Sequence, residues 1–412
     1  MVTISPFKAL RPNAQFAKQV ASRPYDVLNS KEAKIEAQGN PCSFLHITKS
    51  EIDLPETIDI HAQDVYDKAK ENLDAFISRN ILFKEDKSCY YIYRLIMYGK
   101  SQTGLVCGSS VDDYENNLIK KHEFTRPDKE LDRINHIKTT GAQTGNVFLA
   151  YKNVIEIDEV INHWTKEKSP QYDFVAEDDI QHSIWIVNDD ATIQKITTLF
   201  KTKVPCTYIA DGHHRAASAA KVRASLGDRA TSSSNYFLTT LFPSNQLYIM
   251  DYNRVVRDLG EWNTDDFLEK TGETFEVEKV NVPYKPSQLH TFGMYMNKQW
   301  YKLTSKKGTY TEDPIGVLDV SILQNNLLDA VLGIKDQRTD TRIDFVGGIR
   351  GLEALEKRVD SGEMALAISL YPVSIQQLFD IADSGNVMPP KSTWFEPKLR
   401  DGLLTHLIVD IA

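Results

Sequence analysis

Cysteine is scarce in this sequence. Its 412 residues include four cysteines, which lie far apart at positions 42, 89, 107 and 206. No two of them form a CxxC pair, so the sequence excludes a zinc ribbon and a thioredoxin-type redox site. Such sparse cysteine usage is typical of proteins in a reducing compartment.

Long apolar runs and an excess of basic side chains are also lacking. The longest apolar stretches, such as Met364–Leu370, fall well short of the roughly 20 residues that a membrane-spanning helix needs. The first residues do not combine a basic stretch with an apolar core, so they do not predict a signal peptide. The 48 basic and 57 acidic side chains give a net charge of −9, which disfavours non-specific binding to nucleic acid or anionic membranes. We therefore expect a cytoplasmic protein with neither nucleic-acid nor membrane partners.

The composition is that of a globular protein, with 41% hydrophobic and 25% charged residues. Strand-like and helix-like segments of similar weight alternate along the chain, and several pairs of strands read as hairpins. This pattern predicts an α+β (mixed α/β) fold. The length suggests more than one domain, and we divide the chain into an N-terminal α+β region (1–110), a core (111–250) and a C-terminal α/β region (251–412).

Periodicity places several elements. The sequence predicts a helix over 61–79, a hairpin formed by Ser88–Met97 and Leu105–Cys107, helices over Val111–His122 and Pro127–Lys138, and a last strand near His406–Ile411.

The clearest single unit spans residues 204–227. A strand leads into Asp211 and Gly212, and an alanine-rich helix over His213–Leu226 ends at Gly227. The first N–H groups of a helix are unpaired and the helix dipole makes them positive, so an anion is favoured there. His213, His214 and Arg215 at the same end add donors that suit phosphate oxygens. The alternative is a turn into a helix that carries surface histidines.

A second cluster, Lys120–Arg133, is dense in charge of both signs. It contains His122 and Glu123 at a predicted helix end, where catalytic side chains often project, followed by Arg126 and Arg133. A solvated pair of helices joined by ion pairs is an equally good interpretation. No second histidine follows at metalloprotease spacing, which excludes the HExxH zinc motif.

A third cluster, Val387–Lys398, holds three prolines. Lys391, Ser392 and Thr393 within it offer an ammonium group and two hydroxyls to a phosphate or a carboxylate. The same residues also fit a turn in which Ser and Thr cap backbone groups and Trp394 fills the core. The sequence leaves both interpretations open.

These motifs together resemble known families. The box Asp211-Gly212-His213-His214-Arg215 resembles the phosphate-binding turn of the ParB/sulfiredoxin superfamily, and free serine kinases carry the most similar variant. The whole chain resembles the uncharacterised domain-of-unknown-function family numbered 1015. That resemblance rests on four separated motifs, which are Arg23–Val27, Lys121–Glu123 with Thr125 and Asp132–Arg133, the box, and Met388-Pro389 with Lys391–Thr393. It implies a ParB/sulfiredoxin-like phosphate-binding core, residues 111–250, embedded in a larger mixed-sheet body.

The resemblance implies phosphoryl transfer with ATP or ADP and Mg²⁺, a chemistry that rests on positioning and charge neutralisation. In that scheme, Gly212 to Arg215 hold the phosphates together with Lys391, Ser392 and Thr393. Asp211 orients a histidine or a metal-bound water, His213 takes part in the chemistry, and Glu123 deprotonates the acceptor hydroxyl. The further candidates for the pocket are His122, Arg126, Arg133, Tyr25 and Asp26.

The resemblance favours a kinase that acts on a small hydroxylated metabolite such as serine. The alternatives are a phosphatase that uses the same pocket and a non-catalytic, nucleotide-binding ParB-like regulator. Sulfinate reduction is excluded, because His213 stands where sulfiredoxin has its reactive cysteine. The sequence leaves open which acceptor is phosphorylated, whether the protein itself holds a metal ion, and whether it forms a homodimer.

Overall fold

The computed structural model describes residues 1–227 and 230–409. By its internal contacts the chain forms two compact units. We call Met1–Leu247 with Pro397–Ala412 the large unit, and Tyr248–Glu396 the inserted unit. Both units combine helices with sheets, so the predicted α+β class is confirmed. The division at residues 110 and 250 stays a prediction.

Strands and helices are interspersed along both units. In chain order, the strands are β1 (Ile4–Ser5), β2 (Ala9–Pro12), β3 (Leu82–Lys84), β4 (Tyr90–Met97), β5 (Lys100–Ser110), β6 (Ile119–Lys120), β7 (Ala142–Gln143), β8 (Val147–Tyr151), β9 (Tyr172–Val175), β10 (Gln181–Val187), β11 (Thr207–Asp211), β12 (Tyr236–Pro243), β13 (Ile249–Met250), β14 (Tyr252–Val256), β15 (Phe275–Val280), β16 (Thr291–Met296), β17 (Gln299–Ser305), β18 (Ile343–Gly347), β19 (Leu366–Leu370), β20 (Trp394–Phe395) and β21 (Thr405–Leu407). The helices are α1 (Ala17–Val20), α2 (Ser30–Ala37), α3 (Leu45–Thr48), α4 (Gln63–Ser78), α5 (Val111–Glu115), α6 (Pro127–Thr140), α7 (Ile155–Glu167), α8 (Asp190–Lys203), α9 (His213–Leu226), α10 (Thr264–Thr271), α11 (Asp319–Leu323), α12 (Glu353–Asp360) and α13 (Ile375–Asp383).

The main sheet of the large unit has the strand order β6-β11-β8-β12-β5-β4-β10-β9, and β1 also pairs with β5. Two pairs are parallel, β6 with β11 and β8 with β12, and the others are antiparallel. Its apolar face packs against α7 and α8, for example through Leu149, Trp164 and Phe200. A second sheet, β3-β2-β21-β7, contains a strand from the last residues of the chain. The last strand, predicted near His406–Ile411, is confirmed at His406 and Leu407, whereas residues 408–409 are not part of a strand. Residues 410–411 lie outside the described part of the chain.

The predicted helix over Val111–His122 is confirmed for Val111–Glu115 and is wrong beyond that residue, in the region of the candidate site. Helix α5 ends at Glu115, and Asn117 adopts a left-handed backbone with φ 58°. Asparagine tolerates that conformation, which ends the helix. The chain is then free to pair as β6. The predicted helices over 61–79, Pro127–Lys138 and His213–Leu226 and the predicted hairpin are confirmed, with small shifts at their ends.

Helix α9 lies against α6. Small side chains cover most of its buried face, including Ala216, Ala217 and Ser218, which allow a close approach of the two helices. The Ser218 hydroxyl donates to the backbone carbonyl of Glu130 at 3.1 Å, and the buried Glu130 carboxylate pairs with Lys221. These contacts fix α6 and the loop before it relative to the start of α9.

The inserted unit is built on an antiparallel sheet with the order β15-β17-β16-β19-β14-β18, and β13 pairs separately with β20. Val255, Trp300 and Leu355 belong to its apolar core. Over residues 1–227 and 230–409, no helix is both long and apolar enough to cross a bilayer.

Asp319, the first residue of α11, is a buried carboxyl group in the inserted unit. Its Oδ1 accepts a hydrogen bond from the backbone N–H of His290 at 2.8 Å, and its Oδ2 has no partner among the described residues. Burial disfavours the charged form and raises the pKa of Asp319 to about 7.

The first prediction concerns Asp319→Asn. The folded state binds the Asp319 proton more tightly than the unfolded state, where an Asp pKa is about 3.9. The contribution of Asp319 to the free energy of unfolding therefore falls as the pH rises from that value to about 7 and is level above it. Asparagine keeps the acceptor for His290 and does not ionise, so the variant should gain stability relative to the natural protein across this window. Denaturant unfolding measured from pH 4 to pH 8 checks this, with the exposed Asp329→Asn as the control. Parallel pH profiles of Asp319→Asn and the natural protein would contradict it.

Candidate functional site

The parallel pairing of β6 with β11 brings two of the sequence motifs together. Ile119 pairs with Thr207 and Lys120 with Tyr208. Parallel strands end at the same edge of a sheet, which is where open α/β sheets bind ligands. The loop with His122 and Glu123 and the box at 211–215 therefore leave the sheet side by side.

Gly212 sets the start of α9. Its φ of 95° is readily adopted only by glycine, and a Cβ atom here would lie 3.3 Å from the Arg215 guanidinium carbon. As a glycine, this N-cap residue has no side chain that could accept a hydrogen bond from the first turn of the helix. By contrast, Asp189 caps α8 and Ser374 caps α13. The first N–H groups of α9 thus lack the usual N-cap acceptor.

The two box histidines accept hydrogen bonds from the loop at 122–126. His213 Nε2 lies 3.5 Å from the backbone N of His122, and His214 Nε2 accepts from the backbone N–H of Arg126 at 2.9 Å. His122 and His213 are buried, and their rings meet edge to face with centroids 4.5 Å apart. Burial lowers the pKa of His122 to about 4 and lowers that of His213 well below its ordinary value. These two imidazoles are neutral at pH 7 and do not act as cations.

His122, Glu123 and His213 form a cluster of metal-ligating type. One ligand atom from each residue lies within 4.8 Å of the other two. The donor set is two imidazole nitrogens and one carboxylate. Mg²⁺ prefers an octahedron of oxygen ligands, so this set does not fit the Mg²⁺ that the resemblance implies.

Arg215 lies inside the protein. Its guanidinium donates to the Asn146 carbonyl and to the Asp26 carboxylate, the latter at 2.9 Å, and lies 3.8 Å from Asp211. Burial opposes its charge, but Asp26 and Asp211 outweigh that effect and raise the pKa of Arg215. Arg215 therefore joins three segments of the large unit at the start of α9.

Asp211 closes the same network. Lys398 Nζ lies 3.0 Å from Asp211 Oδ2, so the carboxylate faces two cations. Burial alone would raise the pKa of Asp211, but Lys398 and Arg215 hold it well below its usual range. Asp211 is thus ionised at neutral pH and engaged by its partners.

The other residues of the large unit that were predicted to line the pocket lie in different surroundings. Arg126 is exposed and its guanidinium pairs with Asp128 at 2.9 Å. Arg133 is buried, forms a two-pronged bond to Asp132, and lies 3.9 Å above the ring of Tyr25. Arg133, Arg215 and Tyr25 line a cavity of about 20 Å³, which has room for about one water molecule. This side of the network is packed interior.

Two residues of this network escaped the sequence-based prediction, Lys398 and Asp401. Asp401 is buried near Gly145 and Arg215, and burial raises its pKa to about 8 despite the opposing effect of Arg215. The signal that could have found them is the run Lys398-Leu399-Arg400-Asp401, where charges alternate with apolar residues before Leu403 and Leu404. Charges within an apolar stretch indicate buried, paired groups.

Lys391, Ser392 and Thr393 belong to the inserted unit. The Ser392 hydroxyl donates to the Pro389 carbonyl at 2.6 Å, and the Lys391 ammonium lies 5.9 Å from the ring centre of Tyr252. The fully buried Arg254 stabilises this loop by donating a hydrogen bond to the Pro390 carbonyl at 3.2 Å. A role of these three residues in phosphate binding stays a prediction.

Comparisons with known proteins give one family. The family model described as "Protein of unknown function (DUF1015)" matches residues 4–321. No curated protein matches the sequence.

Several solved structures are similar to this chain at low identity. A conserved hypothetical protein from Pyrococcus furiosus has 14% identity and a TM-score of 0.37, over 73% of this chain and 94% of that one. A free serine kinase in complex with AMP has 11% identity and a TM-score of 0.36, over 72% and 91% of the two chains. C-terminally truncated SbnI from Staphylococcus aureus has 10% identity and a TM-score of 0.37, over 72% and 85%. Likeness at this level assigns neither a substrate nor a residue's role to this chain.

The second prediction concerns Arg215. Replacing it with alanine removes the buried partner of Asp26 and of the Asn146 carbonyl, whereas Asp211 keeps Lys398. Because Asp26 is partly exposed, the cost in unfolding free energy should exceed the roughly 1 kcal/mol of an exposed pair and stay below the roughly 3–5 kcal/mol of a fully buried one. Arg215→Lys keeps the charge without the forked geometry and should lose less. Denaturant unfolding followed by circular dichroism measures both.

The matched control is Arg223→Ala on the same helix. Arg223 is more exposed and pairs with Asp112, so its loss should cost no more than about 1 kcal/mol. Equal costs for Arg215→Ala and Arg223→Ala would mean that the buried network does not stabilise the start of α9.

Proposed function

The chain belongs to the DUF1015 family, whose description names no activity, and we propose that it is a nucleotide-dependent phosphotransferase acting on a small hydroxylated metabolite such as serine. One observation carries the proposal. A 14-residue helix begins without a side-chain cap at the carboxyl ends of two parallel strands, and a carboxylate from the neighbouring loop lies at the same place.

In this proposal the start of α9 binds the phosphates of ATP or ADP. The backbone N–H groups of the first turn and the helix dipole supply the positive end that a phosphate requires. His214 and Asp211 are partly exposed box side chains at this turn, and Asp211 is paired with Lys398. Mg²⁺ would have to be supplied with the nucleotide, since the donor set of His122, Glu123 and His213 does not suit it.

Asp211 and Arg215 act as positioning residues. Both are occupied by partners of the large unit, and together with Lys398 they hold the turn at Gly212 in place. Phosphoryl transfer depends mainly on such fixed geometry, because little covalent chemistry is left to the protein.

Glu123 is the group that we propose to accept the proton of the acceptor hydroxyl. It is partly exposed and follows the buried His122, whose backbone is bonded to His213. This connection ties the carboxylate to the helix start where the phosphates would bind.

The third prediction tests the activity itself. The full-length protein incubated with serine, Mg²⁺ and either ATP or ADP should form phosphoserine, detected by mass spectrometry. Release of phosphate from phosphoserine without any nucleotide, and without the forward reaction, would instead indicate a phosphatase. Neither product with serine or related hydroxylated metabolites would reject phosphotransfer.

The fourth prediction concerns Glu123→Gln. Loss of a general base should lower kcat by roughly 10²–10⁴-fold and leave nucleotide affinity unchanged. The exposed Glu115→Gln is the matched control and should retain full kcat. An unchanged kcat in Glu123→Gln would remove Glu123 from the chemistry, whereas an equal loss in both variants would point to a general effect on the fold.

A further inference from the structure

We propose that His122, Glu123 and His213 bind a divalent first-row metal ion, Zn²⁺ or Mn²⁺, rather than Mg²⁺. The inference shares these side chains with the proposed function, but metal binding can be measured without turnover. It starts from the disagreement between the donor set and the Mg²⁺ that the resemblance implies.

The three side chains already lie close together. One ligand atom of each residue lies within 4.8 Å of the other two. Around a tetrahedral Zn²⁺ with ligands at about 2.0–2.1 Å, neighbouring ligand atoms lie about 3.3 Å apart. Small rotations of the three side chains complete such a site, because the residues already meet at the ends of β6 and β11.

One of the imidazole nitrogens in this cluster is buried without a hydrogen-bond partner among the described residues. His122 Nδ1 is buried and has no hydrogen-bond partner among the described residues, and His122 is only 2% exposed. A buried polar atom left without a partner is costly, so such atoms call for an explanation such as an ion. His213 Nε2 accepts from the His122 backbone N–H at 3.5 Å, which is at the outer limit for a hydrogen bond.

The chemical type of the three ligand groups also favours such an ion. Two imidazoles and one carboxylate are the ligand set that suits Zn²⁺, Mn²⁺ and related ions, and three protein ligands leave at least one position open. Since His213 is the first residue of α9, the metal would lie at the first turn of the proposed phosphate-binding helix.

The experiment titrates the metal-free, full-length protein with Zn²⁺, Mn²⁺, Mg²⁺ and Ca²⁺ by calorimetry, and with Co²⁺ by visible absorption. We expect one Zn²⁺ or Mn²⁺ per chain, a Co²⁺ spectrum of nitrogen and oxygen ligands, and weaker binding of Mg²⁺ and Ca²⁺. The variants Glu123→Gln and His122→Gln should each raise the Kd for Zn²⁺ by about tenfold or more. The exposed His163→Ala and Glu115→Gln are controls that should bind normally.

Circular dichroism shows whether each variant folds. Because Glu123 is partly exposed, its replacement by glutamine tests metal binding without disturbing the protein interior. Binding that is absent at micromolar Zn²⁺, unchanged in Glu123→Gln, or stronger for Mg²⁺ than for Zn²⁺ and Mn²⁺ would overturn the site. Phosphoserine formation without this metal binding would reject the site alone, and metal binding without any phosphotransfer would reject the proposed function alone.

Discussion

The parallel pairing of the two-residue strand β6 with β11 is the contact on which the candidate site depends. It is short, but it joins residues some 90 positions apart and makes both chains leave the sheet at one edge. Because side chains at the carboxyl ends of parallel strands project beyond that edge, His122 and Glu123 meet the box at Gly212. The packing of α6 on α9 supports the same arrangement from the helical side, through Glu130, Ser218 and Lys221.

The charges of the box are used mostly inside the protein. Arg215 and Asp211 lie 3.8 Å apart, and each has a further partner of opposite charge. Arg215 pairs with Asp26, and Asp211 pairs with Lys398. A buried guanidinium needs such partners, because desolvation without them is costly. The imidazoles are neutral for the same reason. In our proposal, the capacity of this turn to hold an anion therefore rests on the backbone N–H groups and the helix dipole of α9, rather than on a cluster of cationic side chains.

Local signals in the sequence carried much of the fold. Alternating strand residues separated by a tight turn predicted the β4–β5 hairpin, and the strand, Asp211-Gly212 turn and alanine-rich stretch predicted β11 and α9. The same reasoning failed at Val111–His122, since helical spacing continued past the point where Asn117 takes a left-handed conformation. Two residues are too few for a strand signal, so β6 exists only because β11 is available to pair with it.

For the site, the sequence by itself determined which side chains carry chemistry and where α9 begins, because glycine geometry and helix periodicity are local properties. The tertiary structure decided which of those side chains are available. It turned Arg215 inward, paired Lys398 with Asp211, and buried Asp401 where the charge of Arg215 acts on it. It also placed Lys391, Ser392 and Thr393 in the inserted unit. Burial and partner choice depend on contacts between distant segments, and no local pattern encodes them.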